Sequence, residues 1–368
     1  MTQVDPSAAL AIGLYSSSLP QSHRKPPGVD VFVDRLGEQL ARRGHRVVMF
    51  TYSPPVANRS YEHRGFEPRS TATTRLRRML VAPMRLNALD TSGLDVLHLH
   101  GDDWFYVRRQ VATVRTLHGS AYYEARYATR TRRRVSQYVT YGLEMLAERL
   151  ATASYGVNPS PGPGAGRTGH LPLAVDLPAV DSLERPGPPL VLFVGTWAGR
   201  KRGQLLHETF LRDILPQVPD ASLVMVCDHC DPGPSVRWIA RPTDEELAGL
   251  YRSAWVFCMP STYEGFGLPY LEAMAQGTPV VATTNPGSRF VLDGGRFGLI
   301  AAEHELGSEI AKLLLDGDIR SKLATRGLER ARQFGWEALL GQHERAYREA
   351  IRAFRSGRRS GADQLSPT

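Results

Sequence analysis

"AWVFCMPSTYEGFGLPYLEAMAQGTPVVATT", residues 254–284, decides how the chain folds. Ala254 to Ser261 is an apolar run of strand length, and Thr278 to Thr284 is a second. Between them Pro269 suits the first turn of a helix and Gly277 its end, which predicts a helix over roughly Pro269 to Gln276. Strand, helix and strand in that order make a parallel crossover unit of right-handed sense. Glu264 stands in the loop after the first strand, and Glu272 in the first turns of the helix. Gly265 and Gly267 let backbone N–H groups approach an anion there, and the helix N-terminus adds partial positive charge. Two acceptors flanking such a turn suit a ligand with hydroxyls at both ends and phosphates between them. The spacing alone equally allows a loop glutamate plus a helix glutamate held by the macrodipole.

The same grammar continues on both sides. "LVLFVGTWAGRKRG" (Leu190 to Gly203) reads strand, glycine turn, basic loop, helix, and "ASLVMVCD" (Ala221 to Asp228) and "VRWIA" (Val236 to Ala240) are further strands. Nearer the N-terminus, Ala8 to Ser16 is a strand, Val29 begins a helix that Gly44 ends, and Arg46 to Thr51 is the next strand. "LDVLHLHG" (Leu94 to Gly101) and "VATVRTLHG" (Val111 to Gly119) are strands that end in His-Gly. Open α/β sheets bind ligands at such ends. A long helix is expected from about Tyr122 to Ala153, then the irregular "NPSPGPGAGRTG" (Asn158 to Gly169) and the bridge "ERPGPP" (Glu184 to Pro189), the candidate interdomain linker. Helical pattern returns from about Leu306 to Phe354, broken at "QFGW" (Gln333 to Trp336).

A length of 368 residues suits two domains. Hydrophobic residues at 42% and charged residues at 22% are those of a water-soluble chain. No apolar run approaches the ~20 residues that span a bilayer, and the N-terminal apolar segment lacks the basic flank of a signal peptide. A cytoplasmic location is expected. Three cysteines cannot form a disulfide framework. The formal charge of +8 favours anionic partners, nucleotides, phospholipid surfaces or nucleic acid, without choosing among them. No recognised nucleic-acid motif or interleaved aromatics are present, so nucleic acid is not an expected partner. The first strand is not followed by G-x-G-x-x-G, which weighs against a nicotinamide oxidoreductase. "CDHC" (Cys227 to Cys230) is one metal knuckle where a zinc site needs four ligands, and "GDDW" (Gly101 to Trp104) is not an Asp-x-Asp motif. No metal is expected.

With those readings in place, "PSTYEGFGLPYLEAMAQGTPVVATTNPG" (Pro260 to Gly287) resembles the signature of retaining glycosyltransferases of the GT-B fold, family 4 (glycosyl transferases group 1), with its two glutamates at 264 and 272. "PPGVDVFVDRLGEQLARRGHRV" resembles the family's first glycine loop and helix, "LPLAVD" (Leu171 to Asp176) a degenerate form of its Asn-Gly-Val-Asp, and "FGWEALLGQHERAYREAI" its C-terminal helices. The resemblance implies an α/β chain of two Rossmann-like doubly wound domains facing a central cleft. Residues 1–184 would bind the acceptor and 185–335 the donor, 336–356 would form a helix crossing back to the N-terminal domain, and 357–368 a disordered tail. The co-substrate would be a nucleotide-diphosphate sugar, with no other cofactor, and the acceptor a hydroxyl of a glycan, lipid or small molecule.

Residue by residue, the resemblance implies that Glu272 accepts hydrogen bonds from the ribose and Glu264 meets hydroxyls of the transferred sugar. The backbone of Phe266, Gly267 and Leu268 would line sugar and phosphates, Gly28 and Gly195 would let their loops approach the donor, and Lys201 would meet the diphosphate. The family's arginine after the glycine is here Thr196, so Arg200 or Arg202 is expected to replace it. His118 would lie beside the transferred sugar, His100 on the acceptor side, and His98 in the packed interior. Two carboxylates invite comparison with retaining glycosidases, but in this family both bind donor.

"RYATRTRRR" carries arginines at 126, 130, 132, 133 and 134. Helical spacing puts four of them on one face, read either as a peripheral contact with anionic membrane at its inner face or as a solvated surface. A second functional class is a non-catalytic module that binds a sugar nucleotide or an anionic membrane; the intact Glu264, Glu272 and Lys201 set favours catalysis.

Overall fold

The computed structural model describes residues 8–21, 28–65, 83–108, 110–128, 130–159 and 168–357. The tail expected at 357–368 lies, from residue 358 on, outside the described residues, as does most of the Asn158–Gly169 segment. The chain divides into two compact units, Met1–Pro172 with Glu337–Thr368, and Leu173–Trp336.

In the first unit, β1 (Ala11–Tyr15), β2 (Arg46–Thr51), β3 (Glu62–Gly65), β4 (Val96–Leu99), β5 (Ala112–Leu117), β6 (Ala153–Gly156) and β7 (Gly169–His170) form one sheet among the described residues. Its order is β3-β2-β1-β4-β5-β6-β7, and every pair is parallel. The apolar runs that predicted β1, β2, β4 and β5 are buried along almost their whole length, as strands covered on both faces must be. Helix α1 (Gly28–Arg42) turns Phe32, Val33, Leu36 and Leu40 inward at the expected spacing, and Gly44 ends it at φ 92°.

In the second unit, β8 (Leu190–Val194), β9 (Ser222–Val226), β10 (Val236–Ile239), β11 (Val256–Met259), β12 (Val280–Thr283) and β13 (Leu299–Ala301) pair in the order β10-β9-β8-β11-β12-β13, all parallel. Renumbered from its first strand this is 3-2-1-4-5-6, the order the first unit also begins with. Each sheet therefore reverses direction once, between β1 and β4 and between β8 and β11, and a ligand crevice opens outside the carboxyl ends at such a point.

Two sequence expectations are corrected. The long helix from Tyr122 to Ala153 is two helices, α2 (Ala121–Arg126) and α3 (Thr131–Leu150), followed by β6. Ala128 turns inward and the backbone of Arg130 is extended (φ −98°, ψ 127°), so a new helix starts there. Arg126 and Arg130 consequently do not share a helical face with Arg133 and Arg134. Arg133 instead reaches back to Glu124 (3.2 Å) and Arg134 to the carbonyl of Ala128 (3.2 Å). No helix among the described residues is long and apolar enough to cross a membrane.

Candidate functional site

The stretch after β11 and the basic loop after β8 lie at the reversal point of the second sheet. Helix α4 (Leu268–Ala275) begins at Gly267, whose left-handed backbone (φ 95°, ψ 46°) and contact with Tyr270 leave no room for a side chain: a Cβ there would stand 2.5 Å from the ring. Pro269 occupies the first turn, as its missing N–H permits. The loop is fixed from behind by Gly287, whose N–H donates to the Glu264 carbonyl (3.0 Å) and whose added Cβ would meet the Phe266 carbonyl oxygen at 2.6 Å. Asn285 caps the helix that follows β12 and ties it to the carbonyl of Ser261 (3.1 Å). The Phe266 side chain packs against Phe290 and Phe334, which leaves only its backbone toward the loop.

Within this frame the Glu264 carboxylate is 5% exposed. Its Oε1 accepts from Lys201 Nζ at 2.8 Å and from Arg200 Nη1 at 3.1 Å. Arg200 also donates to the Tyr263 carbonyl (2.8 Å), while its own carbonyl accepts from the Thr262 N–H (2.8 Å). Basic loop and acidic loop are thereby stitched together. Burial acts to raise the Glu264 carboxyl, but Lys201 and Arg200 outweigh it and hold it below the usual range. Burial lowers the Lys201 ammonium, with Glu264 opposing. A buried carboxylate of this kind persists only because it is paired.

Arg202 takes a left-handed backbone (φ 54°) and turns elsewhere, donating to the Pro260 carbonyl (2.7 Å) and pairing with Glu303. Of the two arginines expected to replace the one missing at Thr196, it is Arg200 that shares a carboxylate with Lys201. The Thr196 hydroxyl closes its own turn on the Ala198 carbonyl (2.9 Å). Gly195 brings the loop close to β8: a Cβ would stand 2.6 Å from the Phe193 ring and 3.1 Å from the Lys201 Cβ. Glu272 Oε2 accepts from the Tyr251 hydroxyl at 2.9 Å, and its charge acts on Lys201 as well. Burial, then Glu272 itself, raises Tyr251 well above the usual phenol, so it stays a donor. Tyr251 escaped the sequence reading because it occupies an ordinary apolar position of its helix. Cys227 continues β9, and its thiol donates to the His229 carbonyl (2.8 Å).

The first unit places His98 within β4 and His100 and His118 just beyond β4 and β5. His98 is fully buried, with Nδ1 on the Tyr347 hydroxyl (2.8 Å) and Nε2 on Thr116 (2.8 Å). His100 Nδ1 and His118 Nε2 share a hydrogen bond of 2.9 Å. Burial pushes His118 down to about 3 and His343, on the helix Trp336–Arg355, down to about 4; His98 and His100 are lowered by burial as well. The imidazoles are therefore neutral at physiological pH. Beside them Arg115 and Asp103, each 2% exposed, form a buried pair at 2.8 Å. That pair, Thr116 and Tyr347 carried no sequence signal. Gly28 opens α1 and is exposed.

Chemically, the second unit offers two cations and two separate carboxylates around a glycine turn, and the first a neutral donor and acceptor set. Residues 27–155 match the model "Glycosyltransferase Family 4" and residues 188–316 the model "Glycosyl transferases group 1". A D-inositol 3-phosphate glycosyltransferase of Corynebacterium jeikeium (strain K411) is 38% identical over 130 residues, 34% of this chain and 31% of that protein. The match thus spans about a third of that relative's length. The fold is similar to a sucrose-phosphate synthase from Thermosynechococcus elongatus (TM-score 0.76, 23% identity, 94% of this chain and 100% of that one). It is also similar to Anabaena HepE in complex with UDP and glucose (TM-score 0.69, 14% identity, 92% and 99%). Two doubly wound parallel sheets and GT-B neighbours establish the fold, and with both halves matched the chain belongs to the family-4-like, group 1 glycosyltransferases.

Proposed function

We propose that the protein transfers a sugar from a nucleotide-diphosphate sugar to a hydroxyl of a glycan, lipid or small-molecule acceptor, with retention and without a metal. The observation that carries this reading is the Glu264 carboxylate held by Lys201 and Arg200 (2.8 and 3.1 Å) at the reversal point of the second sheet. A departing diphosphate gains negative charge in the transition state, and cations already positioned there stabilise it more than the ground state. In the reaction, the bond from the anomeric carbon to the diphosphate oxygen breaks with its electron pair leaving on phosphate. The acceptor oxygen bonds to the same face, and its proton passes to the leaving phosphate. Lys201 and Arg200 meet the diphosphate, Glu264 the sugar hydroxyls, and Glu272, oriented by Tyr251, the ribose. The backbone of Phe266, Gly267 and Leu268 lines sugar and phosphates, with Gly195 and Gly28 at the loop turns. His118 serves the transferred sugar, and His100 the acceptor. The Anabaena neighbour's complex with UDP and glucose supports the donor class.

A panel of UDP-, GDP-, ADP- and dTDP-sugars tests this. At saturation, one donor should raise the melting temperature, because a ligand specific for the native state stabilises it. That donor should also release its nucleotide in the presence of acceptor, with EDTA making no difference. Failure of every donor to shift the transition points instead to a module that binds something else.

A further inference from the structure

Beyond the carboxyl ends of β4 and β5 the first unit has an open pocket of about 270 Å³, and we propose that it takes an uncharged or amine-bearing polyhydroxyl group and rejects phosphate monoesters. Among its lining residues the cation is Arg115, against the carboxylates of Asp102, Glu124 and Glu144. Arg115 already faces a charge of its own: its Nε donates to both oxygens of the buried Asp103, at 2.8 and 2.9 Å, and its Nη1 to the Glu144 carbonyl at 3.4 Å. At the rim, the exposed Arg133 is held by Glu124 (3.2 Å). A phosphate needs cations or backbone donors aimed at its oxygens. One backbone donor on this wall, the Ala121 N–H at the start of α2, goes to Glu144 Oε2 at 3.2 Å. The protein's own carboxylate thus takes the place an anionic ligand would need, and an ammonium group would be attracted there.

The histidine pair makes the same selection by hydrogen-bond polarity. His100 is 5% exposed, and its Nε2 and the Nδ1 of His118 are both buried without a hydrogen-bond partner among the described residues. Because the two neutral rings share one proton between His100 Nδ1 and His118 Nε2, their outer nitrogens must differ: one donates and the other accepts, whichever tautomer is present. A hydroxyl can satisfy either nitrogen. A phosphate dianion accepts only, and leaves the accepting nitrogen without a proton to meet. Glu144, His100 on the acceptor side and His118 at the transferred sugar are, on this account, the specificity-determining groups of this pocket. Naming the occupant an acceptor rests on the transferase reading; the selectivity does not.

The test is calorimetric titration of the full chain, without donor, with glucose, glucosamine and myo-inositol and with glucose 6-phosphate and inositol 1-phosphate. The best uncharged or amino compound should bind at least tenfold more tightly than either ester. Glu144→Gln keeps an oxygen for the Ala121 amide, and it should narrow that gap at least threefold; Glu124→Gln replaces it should that variant not fold. The proposal is overturned if an ester binds as tightly as its parent, if no compound binds, or if the gap survives the carboxamide substitution unchanged. Selective binding by a chain that no donor supports in transfer would sink the transferase reading and leave this one standing.

Discussion

The two units share a strand order and dress its carboxyl ends in opposite chemistry. Past β11 the second unit keeps charge in its interior by pairing, with Glu264 under Lys201 and Arg200. Past β4 and β5 the first unit withholds positive charge, burying imidazoles that stay neutral and closing Arg115 onto Asp103, and leaves carboxylates in the lining. The fold positions a ligand at the reversal of each sheet, and only the side chains decide whether an anion is welcome.

The largest break in that contrast is Arg115→Met. It strands Asp103 as an unpaired charge at 2% exposure, and removing one partner of a buried pair costs about 3–5 kcal/mol. Urea unfolding should register it, and a loss under 1 kcal/mol would mean that Asp103 finds another partner.

Acid sharpens the comparison with a smaller effect per group. His118 and His343 titrate at about 3 and about 4 in the folded chain, against about 6.5 unfolded. Between those values the unfolded chain binds more protons, so stability is full above about pH 7 and falls as pH drops through 6.5 toward 4. Each such histidine contributes a slope of about 1.4 kcal/mol per pH unit. Replacing His343 with Phe should flatten the profile by one proton, and an unchanged slope would contradict the assignment.

Much of this was legible in sequence because buried parallel strands read as unbroken apolar runs, as in β8 and β11. The Glu62–Gly65 strand was not, since its "EHRG" has no apolar residue and is a strand only through pairing with β2. In the site, the family resemblance singled out Glu264 and the basic loop, and the structure pairs Glu264 with Arg200 and Lys201. The spacing could not choose between Arg200 and Arg202, because the left-handed turn at Arg202 that sends it to Glu303 depends on the packed loop. Partnerships such as Tyr251 with Glu272, and His98 with Tyr347, join residues 21 and 249 positions apart. No periodicity encodes them. The arginine stripe failed for a local reason: helical spacing assumes one helix, and the chain breaks at Arg130.

The central claim, that the second unit's paired charges form an anion site, is tested most directly by titrating nucleoside diphosphates into the wild type and Lys201→Met by calorimetry. The tightest of UDP, GDP, ADP and dTDP should lose tenfold or more in affinity in the variant, about 1.4 kcal/mol or more. Equal affinity for wild type and variant would place the diphosphate elsewhere and contradict the account.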